Sequence, residues 1–289
     1  MSSSLDTFTA LPRECFGTFK IFGVACESSV FEALQVGYRW IDTASVYKNE
    51  VEVGHAVRRW LNETSNENND IITVTTKISP YELLDANSAA LACLKRLSLP
   101  STVRKIILIH WPGVAREKHH MTIHREARNA AWKVLCGLKK EGLVDVIGVS
   151  NFNVYHLKLL ADDLSSEVWY EQPAINQVEM HVKCQQRELM RYCNEHSIFL
   201  QAYAPLGGLG APLLYDIGEA LQLDVSSSAA VLLQFIAGCC DSVVVKSQTP
   251  ERIRDNFLNL QRSPSPELRE RLSKMDENFH YCWDACNVV

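Results

Sequence analysis

Apolar and polar positions along this chain follow one repeating rhythm. A short run rich in β-branched residues is followed by a longer stretch with apolar residues every three to four positions. The pattern predicts strands at Cys15–Phe19, Tyr38–Asp42, Ile72–Lys77, Lys105–His110, Val146–Ser150, Ala174–Glu179, Phe199–Tyr203 and Ser242–Lys246. It predicts helices at Ser28–Val36, Val51–Leu61, Ala86–Leu97, Arg125–Glu141, Val154–Leu164, Gln186–His196, Ser227–Ile236 and Pro250–Leu260. Runs such as Ile106-Ile107-Leu108-Ile109 and Val243-Val244-Val245 are apolar without interruption, as expected of parallel strands covered on both faces. Eight strand–helix units predict an α/β fold, a closed (β/α)8 TIM barrel. The rival, an open dinucleotide-binding sheet, needs a G-x-G-x-x-G turn after its first strand. Here Gly207-Gly208-Leu209-Gly210 follows a late strand and lacks that spacing.

Three segments stand outside the rhythm. Asn62 to Asp70 reads as a polar surface loop, and Leu206 to Asp224 is long enough for a lid or flap. The tail predicts a last helix, Pro266–Asn278, with Ser265 as its N-cap and proline at its first position, then an aromatic and cysteine-containing end, His280 to Cys286. No internal repeat or linker divides the chain, so residues 1–289 are expected to form one domain.

Composition narrows the function. With 289 residues of which 47% are apolar, the chain can bury a full core, which excludes disorder. Its 29 basic and 34 acidic side chains give a net charge of -5, and no basic block stands out. That argues against nucleic acid or an anionic membrane as partner and leaves small molecules. The apolar stretch Ala229–Cys240 is interrupted by Gln234 and falls short of the ~18 residues of a membrane span. Met1 to Cys15 has no basic head before an apolar run, so no signal peptide is expected. Ten scattered cysteines, none in a C-x-x-C pair, read as buried thiols of a protein in the reducing cytoplasm. On that reading the sequon Asn62-Glu63-Thr64 is a polar loop.

Barrel enzymes place their chemistry at the C-terminal ends of the strands. Strand two ends in Asp42, Tyr47 follows in the loop, strand three ends in Lys77 and strand four in His110. Each alone has an ordinary explanation: a cap, a rim aromatic, a solvated cation, a packed imidazole. Together they bring an acid, a phenol, an ammonium and an imidazole to one mouth. That set suits proton donation to a carbonyl. An ammonium about 4 Å from a phenol of pKa near ~10 is expected to lower it by a few units. Asp42 would supply the counter-charge Lys77 needs, and His110 would orient the carbonyl oxygen. Phe19, Val46, Tyr47, His110 and Trp111 are the expected walls of a largely apolar pocket. Lys246-Ser247-Gln248-Thr249-Pro250-Glu251-Arg252 joins strand eight to its helix with two cations and two hydroxyls, a fitting phosphate site.

Longer motifs add a resemblance. Gly37-Tyr38-Arg39-Trp40-Ile41-Asp42-Thr43-Ala44 with Tyr47, Asn49-Glu50 and Glu52-Val53-Gly54 resembles the signature of the aldo-keto reductases, of the aldose and aldehyde reductase kind. So do Leu108-Ile109-His110-Trp111-Pro112-Gly113, Ile147-Gly148-Val149-Ser150-Asn151-Phe152, Asn176-Gln177-Val178-Glu179, and Val245-Lys246-Ser247 with Arg252. The resemblance implies a barrel that binds NADPH/NADP+ without a Rossmann domain and reduces aldehydes and ketones. It implies Asp42, Tyr47, Lys77 and His110 as the catalytic tetrad, with Tyr47 the general acid. It further implies that Tyr203 stacks on the nicotinamide and that Ser150, Asn151 and Gln177 hold the carboxamide. Gly17, Thr18, Asp42 and Leu206 would line the same cofactor, Lys246, Ser247 and Arg252 would bind its 2'-phosphate, and Asn256 its adenine. A monomer is expected, acting on a small carbonyl compound without a metal.

Departures from the family pattern fall at the edges: Thr7 to Glu14 is abbreviated, Asp255 stands where Glu or Gln is usual, Ser79 where some relatives carry an aromatic, and the loop after Asn278 is short. Two other functions are open at this level. One is a cofactor-binding sensor barrel with little turnover, like the potassium-channel β subunits. The other is a metal-dependent barrel using His119, His120 and His124.

Overall fold

The computed structural model describes residues 11–64, 70–117, 121–286 and 288. Among them eight parallel strands close into a barrel in chain order: β1 (Glu14–Gly17), β2 (Trp40–Asp42), β3 (Thr73–Ile78), β4 (Arg104–Ile109), β5 (Val146–Ser150), β6 (Ile175–Glu179), β7 (Phe199–Tyr203) and β8 (Ser242–Val245). β1 pairs with β8 through Glu14↔Val243, Cys15↔Val244 and Phe16↔Val245, which closes the ring. The (β/α)8 barrel expected from the hydrophobic rhythm is the observed fold.

Helices cover the outside. Glu50–Glu63 packs against Ala86–Leu97 so closely that a Cβ on Gly54 would lie 2.0 Å from the Leu97 carbonyl oxygen. Only glycine permits that approach. The outer core is built from apolar helix faces such as Val53, Ala56 and Val57 against strand residues such as Ile41 and Val74. A second cluster, with Cys15, Trp40, Ile106, Leu108, Val146, Ile175 and Val244, fills one end of the barrel.

Boundaries move where side chains compete with periodicity. β1 stops at Gly17 rather than Phe19, because the Thr18 backbone N–H and hydroxyl both donate to the Asp42 carbonyl, at 3.1 and 2.9 Å, and turn the chain across the rim. The first helix begins at Gly23, five residues ahead of the expected Ser28, with no side-chain cap to mark its start. The segment Leu206 to Asp224 is not an open flap throughout: Leu213–Leu221 is helical, and Asp224 caps the next helix, Val225–Ala237, by accepting from the Ser227 N–H at 2.8 Å. The last helix ends at Ser273 instead of Asn278; Ser265 caps it as expected, accepting from the Leu268 N–H.

The ten cysteines are free thiols, six of them buried. No single helix among the described residues is long and apolar enough to cross a membrane. Leu213–Leu221 and Val225–Ala237 are so only when joined across a 99° bend, and Leu232, Leu233, Phe235 and Ile236 of the second are buried in the core. Residues 1–10 and 65–69, which include half of the abbreviated approach Thr7–Glu14 and the middle of the expected polar loop, lie outside the described residues.

Candidate active site

Four adjacent chain segments meet at the C-terminal rim. Asp42 is the last residue of β2, Tyr47 closes a single 3₁₀ turn (Ser45–Tyr47), Lys77 lies near the end of β3 and His110 follows β4. Lys77 has no solvent contact. Its Nζ lies 2.7 Å from the Asp42 carboxylate and donates to the Thr43 carbonyl at 2.9 Å. The same Nζ is 5.0 Å from the Tyr47 ring centroid. The Tyr47 ring meets His110 edge-on at 5.7 Å and Phe19 at 5.0 Å. The structure therefore brings together all four residues that the strand ends nominate.

Asn49 and Glu50, noticed in the sequence only as parts of a motif, explain why the Tyr47 turn stays in place. Buried Asn49 donates to the Thr18 and Ile21 carbonyls and accepts from the Thr43 hydroxyl at 2.6 Å, tying the β1 and β2 loops together. Buried Glu50 accepts from Thr76 and from Arg96, both at 2.5 Å.

The electrostatics correct one expectation. Burial pushes the Tyr47 phenol up; Lys77, through its charge and hydrogen bonding, pulls it down but does not outweigh burial, so the phenol sits above its ordinary value rather than below it. Burial also works against the Lys77 ammonium, but Asp42 and Tyr47 more than offset that and hold it above its ordinary value. His110 is driven well below the usual imidazole range, first by burial and then by Lys77. Its Nδ1 is buried with no hydrogen-bond partner among the described residues. At neutral pH the site thus holds a protonated phenol, a charged amine and a neutral imidazole.

The residues expected to hold a dinucleotide form a connected arc beside the four. Tyr203 donates to the Asn151 side-chain oxygen at 2.7 Å, and Asn151 donates to the His110 carbonyl at 2.9 Å. Ser150 donates to the Gln177 carbonyl at 2.8 Å. The Gln177 side-chain nitrogen is engaged by Asp42 at 2.8 Å and Gln201 at 2.7 Å, so it lies inside the barrel under the rim. Asn151 takes a left-handed φ of 63°, which turns the chain immediately after β5. Gly17 is the point where β1 presses on β8: a Cβ there would sit 2.7 Å from Val244 Cγ1. Leu206 is half-buried against the hydrophobic core, three residues after Tyr203.

Lys246, Ser247, Arg252 and Asn256 gather after β8, around the start of helix Pro250–Leu260. Thr249, at that helix's N-cap, makes no side-chain cap bond. Neither Lys246 nor Arg252 has an acidic partner among the described residues. Burial and the nearby charge of Lys20 both push the Lys246 ammonium down. Two unneutralised cations, a hydroxyl and an uncapped helix start fit a phosphate group.

Of the expected walls, Phe19 is exposed, Val46 is exposed and Trp111 is half-buried against the tail. The sequence did not signal that tail as part of the mouth. Trp283 stands edge-on to Trp111 with ring centroids 6.4 Å apart, and Glu179 at the end of β6 anchors the segment that carries it. Two grooves lie elsewhere, one lined by Lys158, Tyr170 and Tyr192, the other by Arg187, Met190 and Cys239; none of the four rim residues reaches either. His119 and His120 lie outside the described residues. His124 is buried and accepts from the Val114 N–H at 3.0 Å.

Comparison with known proteins agrees with the barrel. The model of the aldo/keto reductase family matches residues 16–214. Methylglyoxal reductase DkgA of Escherichia coli is 32% identical over 255 residues, covering 88% of this chain and 85% of the enzyme. Aldehyde reductase YPR1 of Saccharomyces cerevisiae is 32% identical over 272 residues, covering 88% and 84%. Among solved structures, an aldo-keto reductase from a Medee basin deep-sea metagenome library superposes with a TM-score of 0.77 at 30% identity, covering 96% of each chain. With the family pattern running from β1 past β7 on a barrel of the same shape, the chain belongs to the aldo/keto reductase family.

Proposed function

We propose that this protein is an NADPH-dependent reductase that converts aldehydes and ketones to alcohols, with Tyr47 as the general acid. The observation that carries the reading is a fully buried ammonium, Lys77, paired with Asp42 at 2.7 Å and set 5.0 Å from the Tyr47 ring. The carbonyl oxygen would lie between Tyr47 and His110. Tyr47 would deliver the proton as negative charge grows on that oxygen. Burial keeps the phenol protonated beforehand, and Lys77 stabilises the phenolate left behind, with Asp42 keeping the lysine charged. Neutral His110 would donate an N–H to the same oxygen and so fix its direction.

The bound cofactor supplies the hydride for the carbonyl carbon. Tyr203, Ser150, Asn151 and Gln177 would hold its nicotinamide end beside Gly17, Thr18, Asp42 and Leu206. Lys246, Ser247 and Arg252 would hold the 2'-phosphate and Asn256 the adenine. The cations after β8, without an acidic partner among the described residues, fit that occupancy. All four rim groups come from one chain, so the reading needs no second subunit, and ten free thiols suit a cytoplasmic setting. The similar reductases that act on methylglyoxal and aldehydes support small carbonyl compounds as substrates.

Oxidation of NADPH by the purified protein with benzaldehyde and methylglyoxal tests the reading. Turnover is expected with at least one of them, and Arg252→Ala should raise the KM for NADPH about tenfold with little change for NADH. Cofactor binding without turnover across an aldehyde panel would point instead to the sensor barrel. Equal losses for both cofactors would refute the phosphate assignment.

A further inference from the structure

The carboxylate of Glu179 is buried at the end of β6 and takes no part in the four-residue cluster, yet it collects four donors. His181 Nε2 lies 3.1 Å away, His280 Nδ1 2.9 Å, the Tyr281 N–H 2.8 Å and the Cys282 N–H 3.0 Å. Three of the four belong to consecutive residues of the C-terminal tail. A buried carboxylate loses several kilocalories of hydration unless its oxygens are fully hydrogen-bonded, so this carboxylate and this strap specify one another. The far side of His280 contacts Cys184 Sγ at 3.6 Å through Nε2.

The strap held there runs along the mouth. A Cβ on Gly207 would lie 3.1 Å from the Tyr281 ring, and one on Gly208 would lie 3.6 Å from Cys282 Sγ, so the strap rests directly on the loop that follows β7. The Tyr281 hydroxyl reaches Asp216 at 3.4 Å, and Lys183 pairs with the same carboxylate at 2.9 Å. The Glu277 and Phe279 N–H groups both donate to the Lys183 carbonyl at 3.0 Å. One residue beyond the clasp, exposed Trp283 stands over Trp111, next to His110.

Resting on the reductase reading, we propose that Glu179 is a positioning residue that clasps the 280–282 strap and thereby fixes Trp283 as the outer wall of the substrate mouth, setting preference for aldehydes with a bulky aromatic group. Small aldehydes are bounded by Phe19, Tyr47, His110 and Trp111 and do not reach that wall. The tail is held again on either side, by the Lys183 carbonyl before the strap and by buried Ala285 and the Val288 carbonyl at the His156 ring beyond Trp283, so loss of the Glu179 clasp should loosen residues 280–283 locally and leave the ends of the tail in place.

The test compares the parent, Glu179→Gln and His280→Leu on the full chain, with NADPH and either 4-nitrobenzaldehyde or methylglyoxal. Loss of the clasp should raise KM for the aromatic aldehyde about tenfold, with kcat and the methylglyoxal KM within about twofold of the parent. Cleavage after the tail aromatics by chymotrypsin should accelerate in parallel. His280→Leu leaves Glu179 and its backbone contacts in place, so it carries the test if Glu179→Gln does not fold; its shifts should be smaller and in the same direction. Faster tail cleavage with an unchanged ratio of the two KM values would overturn the assignment, as would a strap that stays resistant, or equal losses with both aldehydes. If the parent turns over neither aldehyde, the reductase reading fails by itself. Calorimetric binding of 4-nitrobenzaldehyde to the parent and variants then decides the clasp: weaker binding in the variants supports it and equal binding refutes it.

Discussion

A lysine without solvent contact keeps its charge only where its surroundings replace the lost water. Lys77 has a carboxylate at 2.7 Å and a carbonyl at 2.9 Å to do so. Which residues meet was readable from the strand ends; how their acidities balance was not. Coulomb attraction between an ammonium and a phenolate follows from residue types, but burial depends on everything packed around the phenol, and here it dominates. The clasp gives this scale its pH dependence. Burial raises the Glu179 carboxyl, but His181 and His280 outweigh that and hold it at about 2, against an ordinary 4.5. The Cys184 contact first, and Glu179 second, raise His280 from 6.5 to about 10. The carboxylate's contribution to stability is present above its unfolded value and lost as pH falls toward 2. The imidazolium's is complete below 6.5 and lost as pH rises toward 10. The difference in Tm between the parent and Glu179→Gln is therefore expected to be widest at about pH 5–6 and narrower at about pH 10, read from thermal melts. A difference that grows with pH would show that the His280–Glu179 pair is not what the carboxylate contributes.

At the scale of elements, all eight strands were legible because short β-branched and apolar runs alternate with stretches of helical period, and β4 and β8 carry uninterrupted apolar runs besides. The exceptions are instructive. Helix Leu213–Leu221 went unread because Gly207, Gly208, Gly210 and Pro212 precede it and read as loop, although the helix starts directly after the proline. β1 ended early because Thr18 donates to the Asp42 carbonyl, a contact between residues 24 positions apart that no local pattern encodes. Gly54 shows the converse, a motif residue whose meaning emerges only from packing. In Gly54→Ala the new Cβ meets the Leu97 carbonyl, so the helices Glu50–Glu63 and Ala86–Leu97 must part. A loss of about 1–3 kcal/mol is expected in urea unfolding. Because Asn49 and Glu50 open the first of these helices, activity should fall together with stability. An unchanged midpoint would mean that the two helices tolerate separation.

For the molecule as a whole, parallel closure in chain order puts every strand's C-terminal end on one rim, so β2, β3 and β4 present Asp42, Lys77 and His110 side by side. That much follows from alternation plus closure. The tail could not be placed in the same way: Glu179 and His280 are 101 positions apart, and a short polar-aromatic end carries no period that points to a strand terminus. On the proposed reading the barrel sets the chemistry and the tail finishes the mouth. Proton delivery by Tyr47 is the central claim, and the turnover of Tyr47→Phe with NADPH and benzaldehyde tests it most directly. Removing one oxygen atom is expected to lower kcat by about 10²–10⁴-fold while the Kd for NADPH stays within about threefold of the parent. A variant that kept kcat within a factor of about two would contradict it, because the proton would then come from elsewhere.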